Sequence, residues 1–149
     1  MMLRNDKGFT LIELMIVVVV LSIVLGLGVP GYRQYLQRAN RADASTSLLR
    51  IAAAQERFFI ANGTYASNAQ LALDPPAGLG IASTERGFYD LAVAPAAGGL
   101  AVGYTASATV NAAEDQKDDA DCNVFTINER GQRSAQTDGA ADNTDQCWR

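Results

Sequence analysis

The chain's one long apolar run begins almost at its N-terminus, behind a short charged leader. Residues 1–8 carry Arg4, Asp6 and Lys7, and residues 9–29 then read FTLIELMIVVVVLSIVLGLGV. As a helix this run is about 31 Å long, close to the thickness of a bilayer's hydrocarbon core. The pattern predicts a single membrane-spanning helix, with Arg4 and Lys7 holding its N-terminus on the cytoplasmic side. Glu13 is the only charge inside it. An ionisable group there is costly, so a function or a partner is the default explanation.

The apolar run does not end in a turn. Pro30 lacks an amide hydrogen and crowds the carbonyl of Gly26, which predicts a bend or local weakening. Beyond it the pattern becomes amphipathic. Tyr32, Tyr35, Leu36, Ala39, Ala42, Leu48, Leu49, Ala52, Ala53 and Phe59 group at three- and four-residue spacings, with Arg33, Arg38, Arg41, Asp43 and Arg50 on polar faces. The helix is expected to reach about Ala61 and to stop at Asn62 and Gly63, since glycine accepts the left-handed conformation of a C-cap. A helix of roughly fifty residues is a shaft, one part covered by lipid or sister subunits and the other by its own head.

Residues 64–87 lack a sustained period and contain Pro75, Pro76, Gly78 and Gly80, with Leu71, Leu73, Leu79 and Ile81 available to pin a loop. Strand signals follow at residues 87–94, 100–110 and 122–128, with a turn at Glu129 to Gly131 and a short fourth strand at 132–135. These form a three- or four-stranded antiparallel sheet, apolar on one face. The available cover is the helix around Leu48 to Phe59, which makes the fold class α+β.

Lys7, Gly8, Phe9, Thr10, Leu11, Ile12 and Glu13, followed by the apolar stretch, resemble the class III signal of type IV pilins and type II secretion pseudopilins. The resemblance implies cleavage after Gly8, N-methylation of the new terminal Phe9 and retention of Glu13. It implies a leader at 1–8, a transmembrane or fibre-core helix at 9–29 and a periplasmic or extracellular pilin domain at 30–149. The implied fold is a long N-terminal helix on an antiparallel sheet, with an αβ-loop between them and a Cys-bounded segment like the family's D-region. Cys147, Trp148 and Arg149 at the end, with Cys122 opening a strand, look most like a PilE-like minor pilin. Processing is thereby assigned to Gly8 and Phe9, and assembly to Phe9, Glu13 and Pro30. The implied partners are a prepilin peptidase/N-methyltransferase, other pilins through the N-terminal helix, and the inner membrane with its pilus assembly machinery.

Chemistry-bearing constellations are otherwise scarce. The sequence has no histidine and two cysteines, which excludes a His-based triad and disfavours a thiolate zinc site. No catalytic residue, metal or cofactor is expected, and the chain does not read as an enzyme. Cys122 and Cys147, an even pair beyond the apolar run of an exported chain, read as a disulfide. Glu114, Asp115, Asp118, Asp119 and Asp121 read as a solvated acidic loop ahead of a calcium site, because their order does not fit an EF-hand. Ser22 reads as a hydroxyl bonded to the preceding helical turn.

The formal net charge of −4 argues against a general polyanion-binding surface. Arg130, Arg133, Trp148 and Arg149 are the candidate nucleic-acid contacts, opposed by neighbouring acids. The favoured function is a structural, minor subunit of a bacterial type IV pilus, serving assembly and so twitching motility or adhesion. The alternatives are a DNA-binding competence pilin, a major pilin or a type II secretion pseudopilin. The expected location is the inner membrane, single-pass with a cytoplasmic N-terminus, before assembly, and the cell-surface pilus after it.

Overall fold

A computed structural model describes residues 8–149, except for the side chains of residues 27–31. Arg4 and Lys7 of the leader and the side chain of Pro30 therefore lie outside the described residues. Helix α1 is assigned over Leu11–Asn62, and the assignment runs through position 30. The chain divides into two units, Met1–Leu36 and Gln37–Arg149.

In the first unit the helix start is set by its own sequence. Thr10 and Glu13 form a reciprocal pair: the Thr10 amide and hydroxyl face Glu13 Oε2 at 3.4 Å, and the Glu13 amide donates to Thr10 Oγ1 at 3.3 Å. This is capping-box chemistry, with Thr10 accepting the Glu13 amide and Glu13 returning the contact. Ser22 Oγ donates to the Val18 carbonyl at 2.8 Å, the bond to the preceding turn that its position suggested. The apolar side chains from Phe9 to Leu25 are exposed on every side, with Phe9 at 85%.

The transmembrane expectation is corrected here. Among the described residues no helix is long and apolar enough to cross a membrane. The single-pass transmembrane topology falls with it.

In the second unit, α1 packs on a four-stranded antiparallel meander: β1 (Tyr89–Pro95), β2 (Tyr104–Val110), β3 (Val124–Asn128) and β4 (Arg133–Gln136), in that spatial order. The register puts one set of residues toward the helix. Tyr89 pairs with Val110, Val93 with Ala106, Ala108 with Phe125 and Phe125 with Ala135, and all of these are buried. Thr105, Ser107, Thr109, Thr126 and Ser134 alternate with them onto the other face. Small Ala106 and Ala108 on the central strand leave room above it, and the rings of Tyr89 and Phe125 meet edge-on across β2 at 5.7 Å.

The helix contributes Ala44, Leu48, Ile51, Ala54 and Phe58 to this core. Their spacing follows the helical period, but the stripe is rotated from the sequence expectation: Ala42, Leu49 and Ala53 are exposed. Alanines lie on several faces of this helix, so periodicity alone does not fix the buried one. The stripe also contains a polar residue, Gln55, which is fully buried. Its side-chain amide reproduces a backbone pairing, with Nε2 donating to the Ala66 carbonyl at 3.0 Å and Oε1 accepting from the Ala66 amide at 2.7 Å. The loop after the helix is thereby tied back to it. Gly63, at φ +70°, supplies the left-handed C-cap turn, and its amide donates to the Phe59 carbonyl at 2.8 Å. Leu71, Leu79 and Ile81 then anchor the loop in the core, whereas Leu73 is exposed.

Replacing Gln55 by methionine keeps the volume and strands both Ala66 groups without partners. The expected cost is about 2–4 kcal/mol, read from denaturant unfolding of the Gln55→Met variant. A variant as stable as the parent would remove Gln55 from this role.

Candidate functional site

Toward the N-terminal end of its buried stripe, the helix face changes from apolar to polar at Asn40 and Arg41. The segment after β2 turns back here through a short 3-10 helix, Asp115–Asp118, and places Gln116 and Asp119 against these two residues. Arg41 donates from Nε to Asp119 Oδ2 at 2.7 Å and from Nη2 to Asp119 Oδ1 at 2.6 Å, a two-point fork. Asp119 is 2% exposed and Arg41 9%. The bond from Asp119 raises the Arg41 pKa above its ordinary value against the opposing effect of burial.

Gln116, also buried, completes the network. Its Oε1 accepts from Asn40 Nδ2 at 3.0 Å, while Nε2 faces Asp119 at 2.8 Å, the Tyr89 hydroxyl at 3.1 Å and the Gln37 carbonyl at 3.3 Å. The loop before β1 joins from the other side, where Arg86 Nη1 donates to Asn40 Oδ1 and Asp43 accepts the amides of Glu85 and Arg86. The acidic segment is thus only partly the solvated loop that its composition suggested. Asp119 is a buried counter-ion for Arg41, and the sequence signal that could have found it was an arginine next to an otherwise apolar helical stripe. Among the described residues no cluster of acidic or cysteine side chains is placed to hold a metal ion.

The C-terminal tail forms the other wall. Cys122 and Cys147 are joined, with Cα atoms 5.8 Å apart. The short helix α2 (Thr144–Cys147) lies beside β4, where Ala135 donates to Thr144 Oγ1 and accepts from the Asn143 amide, each at 2.9 Å. The tail therefore covers part of an open sheet edge. Trp148 packs edge-on to Phe125 at 5.9 Å, and its Nε1 donates to the Ser134 carbonyl at 2.9 Å.

Of the nucleic-acid candidates, Arg133 and Trp148 come together, with the guanidinium of Arg133 5.1 Å from the indole centroid. Trp148 is partly buried and hydrogen-bonded, so it stiffens the tail and does not offer a free stacking ring. Arg130 pairs with Glu129 at 3.3 Å. Arg149 is exposed, donates from Nε to the Asp145 carbonyl, and reaches a different group. With Arg38, Arg41, Ala42, Gln146 and Cys147 it lines a cavity of about 390 Å³ between helix and tail. Sequence reasoning separated Arg38 and Arg41 from Arg149 because more than a hundred positions lie between them.

The family described as "Type IV minor pilin ComP, DNA uptake sequence receptor" matches residues 30–126, and a prokaryotic N-terminal methylation motif matches residues 3–29. The type IV major pilin protein PilA of Myxococcus xanthus is 32% identical over 73% of this chain and 46% of its own length. The type IV wide pilus major component PilA4 of Thermus thermophilus is 39% identical over 44% of this chain and 50% of its own. The chain thus spans about half the length of these two relatives. A type IV pilin from Shewanella oneidensis aligns with a TM-score of 0.45 at 25% identity, over 65% of this chain and 89% of that one. The chain belongs to the type IV pilin family.

Tyr89 gives the site a pH dependence. Burial, aided by the Asp119 charge, pushes its hydroxyl well above the ordinary value of 10.0, and burial does the same to Tyr104. Both contribute stability that is complete below the unfolded value and lost as pH rises from there toward the folded one. The unfolding midpoint should hold steady up to about pH 10 and then fall, with tyrosinate absorbance rising together with unfolding. Tyr89→Phe should flatten that fall; an unchanged alkaline profile would contradict the assignment.

Proposed function

We propose that this chain is a minor subunit of a type IV pilus, acting in pilus assembly and so in twitching motility or adhesion. The observation that carries the reading is the match of residues 30–126 to a family described as minor pilins. In this reading a prepilin peptidase cuts after Gly8, Phe9 is methylated, and the chain joins other pilins through its N-terminal helix with the help of the assembly machinery. The methylation-motif match over residues 3–29 supports the processing step. The exposed apolar side chains between Phe9 and Leu25 support the packing step, since none of the described residues covers them and sister helices would. Pro30 is proposed to serve assembly beside Phe9 and Glu13.

A second reading, a pilin that receives DNA for uptake, is favoured by the same family description and by Arg133 and Arg149 at the tail. Clean deletion separates the two. An assembly role predicts fewer or shorter pili, with twitching, adhesion and any transformation falling together. Normal piliation with selective loss of uptake would replace the first reading by the second, and loss of protein export alone would indicate a secretion pseudopilin.

Glu13 carries the finer mechanism. In the single chain it caps its own helix through Thr10. Cleavage after Gly8 would create an ammonium on Phe9 one helical turn away, and in a water-poor bundle that cation and the carboxylate would stabilise each other between subunits. Glutamine can still serve a capping box but carries no charge. Glu13→Gln should therefore leave processing intact, with mature chains beginning at methylated Phe9 by mass spectrometry, while its abundance in sheared pili drops about tenfold or more. Parental abundance would reduce Glu13 to a capping residue.

A further inference from the structure

The cavity between α1 and the tail is lined by three guanidinium-bearing residues, Arg38, Arg41 and Arg149, together with Ala42, Gln146 and Cys147, and by no aspartate or glutamate. Arg38 and Arg149 are exposed, with their charged ends in reach of solvent. Arg41 is the informative one. Its Nε and Nη2 are spent on Asp119, and Nη2 also faces Asp121 at 3.6 Å. Nη1 makes no hydrogen bond among the described residues, yet no fully buried side-chain nitrogen or oxygen lacks a partner. Nη1 of an otherwise buried side chain is therefore reachable from outside, and the opening that Arg41 lines is this cavity. Asp121 is already engaged at its Oδ2 by two residues of the lining, Gln146 Nε2 at 3.4 Å and Arg41 Nη2 at 3.6 Å.

We propose that this cavity is a binding site for a phosphate group, held by Arg38, Arg149 and the free Nη1 of Arg41. A single guanidinium fork engages both oxygens of a carboxylate, as Arg41 already does for Asp119. Three guanidinium-bearing residues around one volume suit the oxygens of a phosphate, the anion for which arginine's planar donors are fitted. The volume of about 390 Å³ lies within the range of small-ligand sites and leaves room for bridging water. The bonds from Asp119 and the tie from Cys122 to Cys147 hold two walls in place before any ligand arrives, which lowers the ordering cost of binding. The site goes beyond the assembly role and does not require the DNA-receptor reading, because free phosphate and a phosphodiester present the same oxygens.

The test is titration of the full-length chain, in non-ionic detergent at low ionic strength, with inorganic phosphate and separately with a duplex oligonucleotide. Phosphate should saturate, and acetate at matched ionic strength should not compete. Arg38→Gln and Arg149→Gln should each weaken phosphate about fivefold or more. Ala42→Glu, which adds a carboxylate at an exposed helix position, should abolish binding while the circular dichroism and melting profile stay those of the parent. Arg50→Gln, whose partner is Glu85, serves as the unaffected control. If phosphate displaces the duplex and the same variants weaken both, the phosphodiester is the source; if the duplex is indifferent to them, the source is free phosphate. Phosphate binding that is absent, matched by acetate, or unchanged in Arg38→Gln and Arg149→Gln would overturn the site.

Discussion

The Arg41 to Asp119 fork is the interaction on which the arrangement of the head depends. Both partners are withdrawn from water, so each would be costly without the other, and loss of one member of such a pair typically costs about 3–5 kcal/mol. The pair joins residues 78 positions apart and determines where the segment after β2 sits on the helix. Gln116 extends the same lock to Asn40 and to the Tyr89 hydroxyl on β1. The tail follows, because Asn143 Nδ2 donates to the Asp121 carbonyl and Cys147 is bonded to Cys122, both close to Asp119 in the chain. A hydrophobic core alone would hold helix on sheet. The polar lock specifies which loop covers which helical turn.

Much of this was legible in the sequence, and the parts that were not have definite causes. The long helix, its stop at Asn62 and Gly63 and the antiparallel meander came from periodicity and turn residues, because those signals are local. The helical face was misjudged because alanines blur the stripe, so Leu49 was placed inward while Ala44 and Ile51 form the core. Asp119 could not be separated from its acidic neighbours, since burial of one carboxylate in five depends on an arginine far away in sequence. Gln55 was overlooked for a similar reason: a glutamine in a helix reads as surface until a buried backbone pair such as that of Ala66 appears beside it. The membrane span, inferred from hydropathy across residues 9–29, does not stand among the described residues.

Two chemically different ends emerge for a member of the type IV pilin family. Among its described residues the first unit offers exposed apolar side chains with a single carboxylate, Glu13, which its own Thr10 already engages at the helix start. The second unit offers a covered core, a polar sheet face and arginines gathered where helix and tail meet. Trp148, a nucleic-acid candidate by residue type, instead ties the tail to β4 through Ser134 and supports Arg133 from below. Arginines that the sequence scatters over three regions are brought near the tail because the disulfide and the Asp119 lock fold it back onto the helix.

Native-state hydrogen exchange on the Asp119→Asn variant tests the central claim most directly, since asparagine keeps the shape of the side chain and removes its charge. If Arg41 and Asp119 position both the loop and the tail, amides of residues 116–121 and of 143–148 should lose protection together. Those of β2 and β3 should keep theirs. Protection unchanged in both segments, or lost uniformly across the sheet, would contradict an account in which this one buried pair sets the arrangement of the head.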